Sequence, residues 1–305
     1  MKLRKLLLVV MSLCLVALMA GCGGSDKKEA PAAKTGEKIT VGFSVSTLNN
    51  PFFVTLSDGV AEKAKALGVD VQTLDAGNDP AKQANDVADL IQHKVNVLLI
   101  NPVDSAAIAN SVEAANKAGI PVLMVDRASD GGQVVSLIAS DNVKGGEMAA
   151  QYIIDKLGSN VAVAEMEGIP GASATRERGE GFHKLADSKL NIVAKQTAEF
   201  DRTKGLTVAE NILQANPEIQ AIFAHNDEMA LGAIEAAKSA GKQVFIVGFD
   251  GTEDGIKAVK DGSMAATIAQ QPKLMGEQGL EAAVKAVKKE AVADHIAVPL
   301  KLVTK

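Results

Sequence analysis

V-N-V-L-L-I-N-P, residues 95–102, carries four consecutive large aliphatic residues and then stops on Asn101. An apolar run this short, closed by a polar residue and without a helical period, reads as a strand buried on both faces. Strands of that kind build parallel sheets covered by helices. The pattern recurs along the chain. Val122–Val125 ends at Asp126-Arg127, Ile219–Ala224 runs to Asn226-Asp227, Val244–Phe249 ends at Asp250, and Met264–Ala269 ends at Gln270. Open parallel α/β sheets bind ligands beyond the carboxyl ends of their strands. Carboxylate, amide and guanidinium groups gathered there point to a small polyhydroxylated ligand.

Helical patterns fill the intervals. Before Val95, strand patterns at Ile39–Val45 and Val69–Leu74 alternate with helical ones at Pro51–Leu67 and Pro80–His93. In the second of these helices Ala84, Val87, Ala88 and Ile91 make one apolar stripe. The spacing predicts a third helix over Ser105–Ala118, stopped by Gly119. The rhythm restarts after Asp141, with helices predicted at Asn142–Leu157, Ser173–Ala186, Thr203–Ala215 and Glu228–Ala240. Strands at Val161–Met166 and Ile192–Ala198 join those already named. Such alternation predicts an α/β protein of two similar doubly wound parallel-sheet lobes. After Gln270 comes one more helix, carrying Leu280, Ala283, Val284 and Val287 on one face, and then an extended stretch, Ile296–Val303.

Composition narrows the class. The 305 residues are 47% hydrophobic and 23% charged, enough for a substantial core, while aromatics are only 3%, with no Trp and one Tyr. Lys2, Arg4 and Lys5 precede an apolar stretch, Leu6–Ala20, that is short for a bilayer span and ends in Leu18-Met19-Ala20-Gly21-Cys22. This is a bacterial lipobox pattern, so residues 1–21 read as a lipoprotein signal peptide and Cys22 as the lipidated first residue of the mature chain. An ordinary cleaved signal with an incidental Cys22 is the plainer reading; the small residues before Cys22 and the polar stretch after it favour lipidation. Residues 22–37, rich in Gly, Ser, Lys, Ala and Pro, read as a lipidated flexible tether. Removing 1–21 takes away Cys14 and three cations, which leaves no cysteine pair and a balance more acidic than the formal −5 of the whole chain. An acidic protein of this kind argues against nucleic acid as a partner.

Polyhydroxylated ligands present a rim of hydroxyls, which wants amides and charges, and C–H faces, which want flat rings. Asn49-Asn50-Pro51-Phe52-Phe53 offers both, although Asn50 equally suits the cap of a helix opening on Pro51, with the rings in the core. Asp126-Arg127 can bridge hydroxyls or form an ion pair. Asn101 and Asp250 can simply end strands. Arg176-Glu177-Arg178-Gly179-Glu180 reads, from residue types, as a solvated and salt-bridged helix face. Phe200, between Glu199 and Asp201, is a local plug or a stacking ring. The chain has no dinucleotide or P-loop glycine motif, no G-x-S-x-G elbow and no H-E-x-x-H. His93, His183, His225 and His295 are scattered without metal-ligand spacing and read as surface or structural groups.

Seven blocks carry a resemblance that covers essentially all of residues 38–305. They are V-S-T-L-N-N-P-F-F at Val45–Phe53, L-L-I-N-P at Leu98–Pro102, I-A-S-D-N-V at Ile138–Val143, R-E-R-G-E-G-F at Arg176–Phe182, N-D-E-M-A-L-G-A at Asn226–Ala233, V-G-F-D-G-T at Val247–Thr252 and A-T-I-A-Q at Ala266–Gln270. The chain resembles the D-ribose-binding receptors of bacterial ABC importers, a branch of the type I periplasmic binding protein superfamily. The resemblance implies a binding protein without enzymatic activity or cofactor, which captures D-ribose in a cleft and hands it to a membrane permease and its ATPase. It also admits a chemoreceptor as partner, and allose or autoinducer-2 as alternative ligands.

The ligand contacts that the resemblance implies are Asn50, Phe52, Phe53, Asn101, Asp126, Arg127, Arg178, Phe200, Asn226, Asp250 and Gln270. It further implies a three-crossing hinge near Ser140-Asp141, Gln270-Gln271 and Pro299-Leu300. Residues 38–140 and 271–299 would form an N-terminal lobe, and 141–270 and 300–305 a C-terminal lobe. The lipid anchor and a divergent helix near Lys285–His295 depart from the pattern. The anchor implies an extracytoplasmic, membrane-held protein, on the periplasmic side or the outer surface.

Overall fold

The computed structural model describes residues 38–305; the expected leader, tether and lipidated Cys22 lie outside the described residues. The first half alternates β1 (Thr40–Val45), α1 (Pro51–Leu67), β2 (Asp70–Asp75), α2 (Pro80–Gln92), β3 (Val97–Ile100), α3 (Ala109–Lys117), β4 (Val122–Val125) and β5 (Ser136–Ser140). The second runs through α4 (Asn142–Leu157), β6 (Ala162–Glu167), α5 (Ser173–Lys189), β7 (Asn191–Thr197), α6 (Arg202–Ala215), β8 (Ala221–Ala224), α7 (Asp227–Ser239), β9 (Phe245–Asp250), α8 (Glu253–Asp261) and β10 (Ala266–Ala269). Then come α9 (Pro272–Val287), β11 (His295–Val298) and β12 (Lys301–Thr304).

The strands form two six-stranded sheets, ordered β11-β5-β4-β3-β1-β2 and β12-β10-β9-β8-β6-β7. Every neighbour pair in the first is parallel. In the second, β12 runs antiparallel to β10 and the remaining pairs are parallel. The unbroken aliphatic runs follow from burial on both faces. Phe43, Val97 and Leu99 face Leu56 and Val60 of α1 and Met275 and Leu280 of α9. Leu98, Ile100, Val122 and Met124 face Val87 and Leu90 of α2 and Val112 of α3. In the second sheet, Val163, Phe223 and Phe249 pack with Ile153 of α4 and Phe182 of α5, while Met166 and Ile222 pack with Ile212 of α6 and Met229 of α7.

The chain passes between the sheets three times: from β5 to α4 through Asp141, from β10 to α9 through Gln270-Gln271, and from β11 to β12 through Pro299-Leu300. Gln271 Nε2 donates to the Pro299 carbonyl at 3.1 Å, which ties two of these passages together.

Local chemistry explains where structure and sequence pattern part. Helix α3 begins at Ala109 and not at Ser105, because Asp104 Oδ1 takes the N–H groups of Ala106 and Ala107 at 2.9 and 2.8 Å and holds residues 105–108 as turns. The stretch expected to be extended over Ile296–Val303 breaks at Pro299, and each half joins a different sheet. Strand β5 and helix α8 were not expected from the pattern: β5 has only Leu137, Ile138 and Ala139 between two Ser residues, and α8 carries few large apolar residues.

Helices α4 and α5 cross at backbone contact. A Cβ on Gly146 of α4 would overlap the Arg178 carbonyl oxygen, and one on Gly181 of α5 would overlap the Val143 carbonyl oxygen.

Candidate functional site

The carboxyl ends of both sheets meet around one small space with buried walls. Its walls are Asn50, Phe52, Phe53, Asp126, Arg127, Ala174, Arg178, Phe200, Asn226, Asp250 and Gln270. A groove of about 980 Å³ opens beside it between the starts of α1, α8 and α9, but it is broad and faces solvent. The buried charge lies in the smaller space.

From the first half come a carboxylate, a guanidinium and two rings. Asp126 and Arg127 follow β4 and are almost fully buried. Asp126 Oδ2 stands 3.5 Å from Arg127 Nε, and Arg127 Nη1 donates to the Pro102 carbonyl at 3.0 Å. Asn101 is not a wall residue. Its side-chain oxygen accepts the Ser46 N–H at 3.1 Å, and its Nδ2 lies 3.2 Å from the Val125 carbonyl and 3.3 Å from Asp126 Oδ2, so it fixes the Asp126 carboxylate. Asn50 does cap α1, its Oδ1 accepting the Phe52 N–H at 2.9 Å, while remaining on the cavity wall. Phe52 and Phe53 pack edge to face with centroids 5.1 Å apart, and the Arg127 guanidinium lies 5.0 Å from the Phe53 centroid.

The second half answers with the mirror set of charges. Arg178 corrects the reading of residues 176–180 as a wholly solvated helix face: Arg176 is on the surface, but Arg178 is 3% exposed. Two residues along a helix rotate the side chain by about 200°, which turns Arg178 inward. Its Nε donates to Asn142 Oδ1 at 2.9 Å and its Nη1 to the His225 carbonyl at 2.5 Å; Asp250 Oδ1 lies 3.7 Å away. The guanidinium lies 3.8 Å from the centroid of the Phe249 ring. Gln270 Nε2 donates to Asp250 Oδ1 at 2.8 Å. Asn226 caps α7 by accepting the Met229 N–H at 2.9 Å and donates to the Phe200 carbonyl at 3.2 Å.

His225 is fully buried, with its ring 2.9 Å from Glu165 Oε1. It is therefore structural, one step behind Arg178.

Burial dominates the electrostatics. It pushes the Asp126 carboxyl up against the opposing pull of Arg127 and Arg178, and pushes Asp250 well up against Arg178. It lowers Arg127 to about 10. Two acids and two guanidiniums balance one another, so the space can take a neutral polar molecule without importing charge. Buried Arg127 Nε and Gln270 Oε1 have no hydrogen-bond partner among the described residues. A ligand rich in hydroxyls can serve both, because a hydroxyl donates and accepts. The backbone is also strained here: Asp126 (φ 67°), Phe200 (φ 62°) and Asp250 (φ 114°) are non-glycine residues with positive φ. Such strain gathers at ligand clamps.

Outside the cavity the two halves touch directly. Ser105 N–H donates to the Gly171 carbonyl at 2.9 Å, Ser173 N–H to Ser105 Oγ at 3.1 Å, and Ala128 N–H to Ser173 Oγ at 2.9 Å. Arg176 Nη2 meets Asp130 at 2.7 Å.

Ten of the eleven residues singled out from sequence line this one space, and the eleventh, Asn101, sits directly behind Asp126. Ala174, also on the wall, has no side-chain chemistry that sequence reasoning could flag. Asn142, which orients Arg178, stood in a quoted block but carried no sign of that task.

Comparison with known proteins places this geometry. The periplasmic binding protein domain matches residues 41–291. The chain is 54% identical over 304 residues to the ribose import binding protein of Bacillus subtilis, covering 99% of both. It is 37% identical over 244 residues to the D-allose-binding periplasmic protein of Escherichia coli, covering 75% of this chain and 78% of that one. Among solved structures, an ABC transporter solute-binding protein from Bacillus halodurans with bound myo-inositol superposes with a TM-score of 0.85 at 32% identity, covering 89% of this chain and 96% of that one.

Proposed function

The chain belongs to the periplasmic binding protein family, and on that premise we propose that it is an extracytoplasmic receptor that captures D-ribose between its lobes and delivers it to an ABC permease. The observation that carries this reading is the charge-balanced cage of Asp126, Arg127, Arg178 and Asp250 around a small space flanked by Phe52, Phe53 and Phe200. The carboxylates accept from hydroxyls, the guanidiniums donate to ring and hydroxyl oxygens, and the rings cover the C–H faces. Asn50, Asn226 and Gln270 complete the rim, and Asn101 acts through Asp126. The full-length match to a ribose import binding protein supports the pentose over other sugars. A hexose is the second reading, favoured by the D-allose-binding relative.

We assign residues 38–140 and 271–299 to one lobe and 141–270 and 300–305 to the other, with the three passages as the hinge. Cys22 is proposed as a diacylated anchor, since two acyl chains hold a protein stably at a membrane where one does not. A Cys22→Ser variant is expected to leave the membrane fraction and lose labelled lipid; unchanged fractionation and labelling would refute the anchor.

Calorimetric titration of the purified full chain with pentoses and hexoses tests the ligand. D-ribose is expected to bind with a Kd of about 1 μM or tighter, about −8 kcal/mol. A site built to hydrogen-bond a hydroxyl rejects an analogue lacking it by up to about 10⁴-fold, so 2-deoxyribose should bind far more weakly. Equal affinity for ribose, 2-deoxyribose and glucose would overturn the assignment.

A further inference from the structure

Phe200 is the wall that the second lobe raises against both arginines, with its ring centroid 5.2 Å from the Arg127 guanidinium and 5.8 Å from that of Arg178. The ring is 8% exposed, and its backbone sits in an unfavourable place, with Glu199 (φ 54°) and Phe200 (φ 62°) both left-handed in succession. Something must hold it there. The loop after β7 is laced to the end of β6: Ala198 N–H donates to the Glu167 carbonyl at 2.8 Å, and Thr197 Oγ1 donates to the Gly168 carbonyl at 2.6 Å. This lacing brings the far edge of the Phe200 ring onto the Cα of Gly168. A Cβ at residue 168 would overlap ring atoms Cζ, Cε1 and Cε2 at once.

Gly168 is buried and is not among the glycines with positive φ, so no backbone torsion demands glycine there. What demands it is space. Carbon atoms settle at about 3.5–4.0 Å, so any side chain at 168 must drive the ring away by an ångström or so. Arg127 and Arg178 flank the same ring, so a displaced ring changes its distance from both guanidiniums.

We propose that Gly168 is a positioning residue for the sugar site: by lacking a side chain it seats the Phe200 ring, and through the ring it sets the width of the cavity in front of the two guanidiniums. The inference rests on reading this space as the ribose site. Gly168 touches no ligand itself. Sites that depend on buried hydrogen bonds fail when their supporting groups shift by about 1 Å, which is the displacement at stake.

The test pairs a ligand-free readout with a titration of the full chain. The protein is labelled with 4-fluorophenylalanine, and the Phe200 resonance is identified by its loss in Phe200→Leu. In Gly168→Ala that resonance should shift more than those of the other seven Phe residues. D-ribose affinity in Gly168→Ala should fall by about tenfold or more, a cost of about 1.4 kcal/mol. In the Phe200→Leu background the same Gly168→Ala change should cost less than about twofold, because the smaller side chain leaves room. An unmoved Phe200 resonance, parental affinity in Gly168→Ala, or an equal loss with and without Phe200 would each overturn the proposal. If Gly168→Ala fails to fold, Gly168→Ala/Phe200→Leu should fold; failure of both would mean that glycine serves the backbone and would refute the ring-seating role. A parent that binds no ribose while its Gly168→Ala variant still moves the Phe200 resonance would sink the ribose reading and leave the seating of the ring standing.

Discussion

Arg127 Nε is buried beside the Asp126 carboxylate without a hydrogen-bond partner among the described residues, and the proposed ligand would supply one. Arg127→Ala or Asp126→Ala should each weaken D-ribose binding by about tenfold or more, because a buried group left unpaired costs about 1–3 kcal/mol and a stranded charge more. Calorimetry on each variant checks this, and parental affinity in Arg127→Ala would contradict it. Glu165 gives a pH prediction. Burial would raise its pKa, but the hydrogen bond from His225, with the His183 and Lys195 charges, holds it at about 2. Its folded pKa lies below its unfolded one, so its contribution is complete above about 4.5 and is lost as pH falls towards 2. Glu165→Gln should therefore show a shallower decline of Tm between about pH 4.5 and pH 3 than the parent does. Parallel Tm–pH curves would exclude the effect. Residue type made Asp126, Asn226, Asp250 and Gln270 legible, because polar groups after apolar runs stand out. Arg178 looked solvated among its charged neighbours, and only the rotation of α5 shows that it points inward. Ala174 and Gly168 matter through the absence of bulk, which leaves no chemical sign in a sequence.

Most of the helices and strands were legible because strands buried on both faces and helices buried on one have different periods. Those that were missed fail that logic. Strand β5 is Ser-flanked with a weak apolar run, α8 carries little apolar surface, and the beginning of α3 is decided by the Asp104 side chain, not by any hydrophobic stripe. Mid-helix glycines have a similar hidden meaning. Gly146 lets α4 approach the Arg178 carbonyl, so the α4–α5 crossing also supports the cavity wall. Gly146→Val should lower stability by about 1–3 kcal/mol through overpacking and should weaken D-ribose binding as well, since Arg178 is carried on α5. Thermal unfolding and calorimetry of the same variant measure both effects. A stable variant with parental affinity would show that the crossing tolerates separation.

At the scale of the whole molecule, the contacts of Ser105, Ala128 and Asp130 with Gly171, Ser173 and Arg176 hold the lobes together at places that do not line the cavity. On the proposed hinge, ligand and clasp act on the same equilibrium, and a ligand shifts it by its preference for the shut form. Small-angle scattering should show a smaller radius of gyration with saturating D-ribose than without it. Ser173→Ala should reduce the fraction closed at a given ribose concentration. Identical scattering profiles with and without sugar would argue against a hinge. The order of the strands has a further consequence, for synthesis. Strand β11 closes the edge of one sheet and β12 the edge of the other, and both are made after every other strand. Domains generally fold as units during translation, the N-terminal one first, but here neither unit has all its strands until residues 295–304 leave the ribosome. A nascent chain in that condition carries one open strand edge in each sheet, at β5 and at β10, and each is covered only once β11 and β12 emerge.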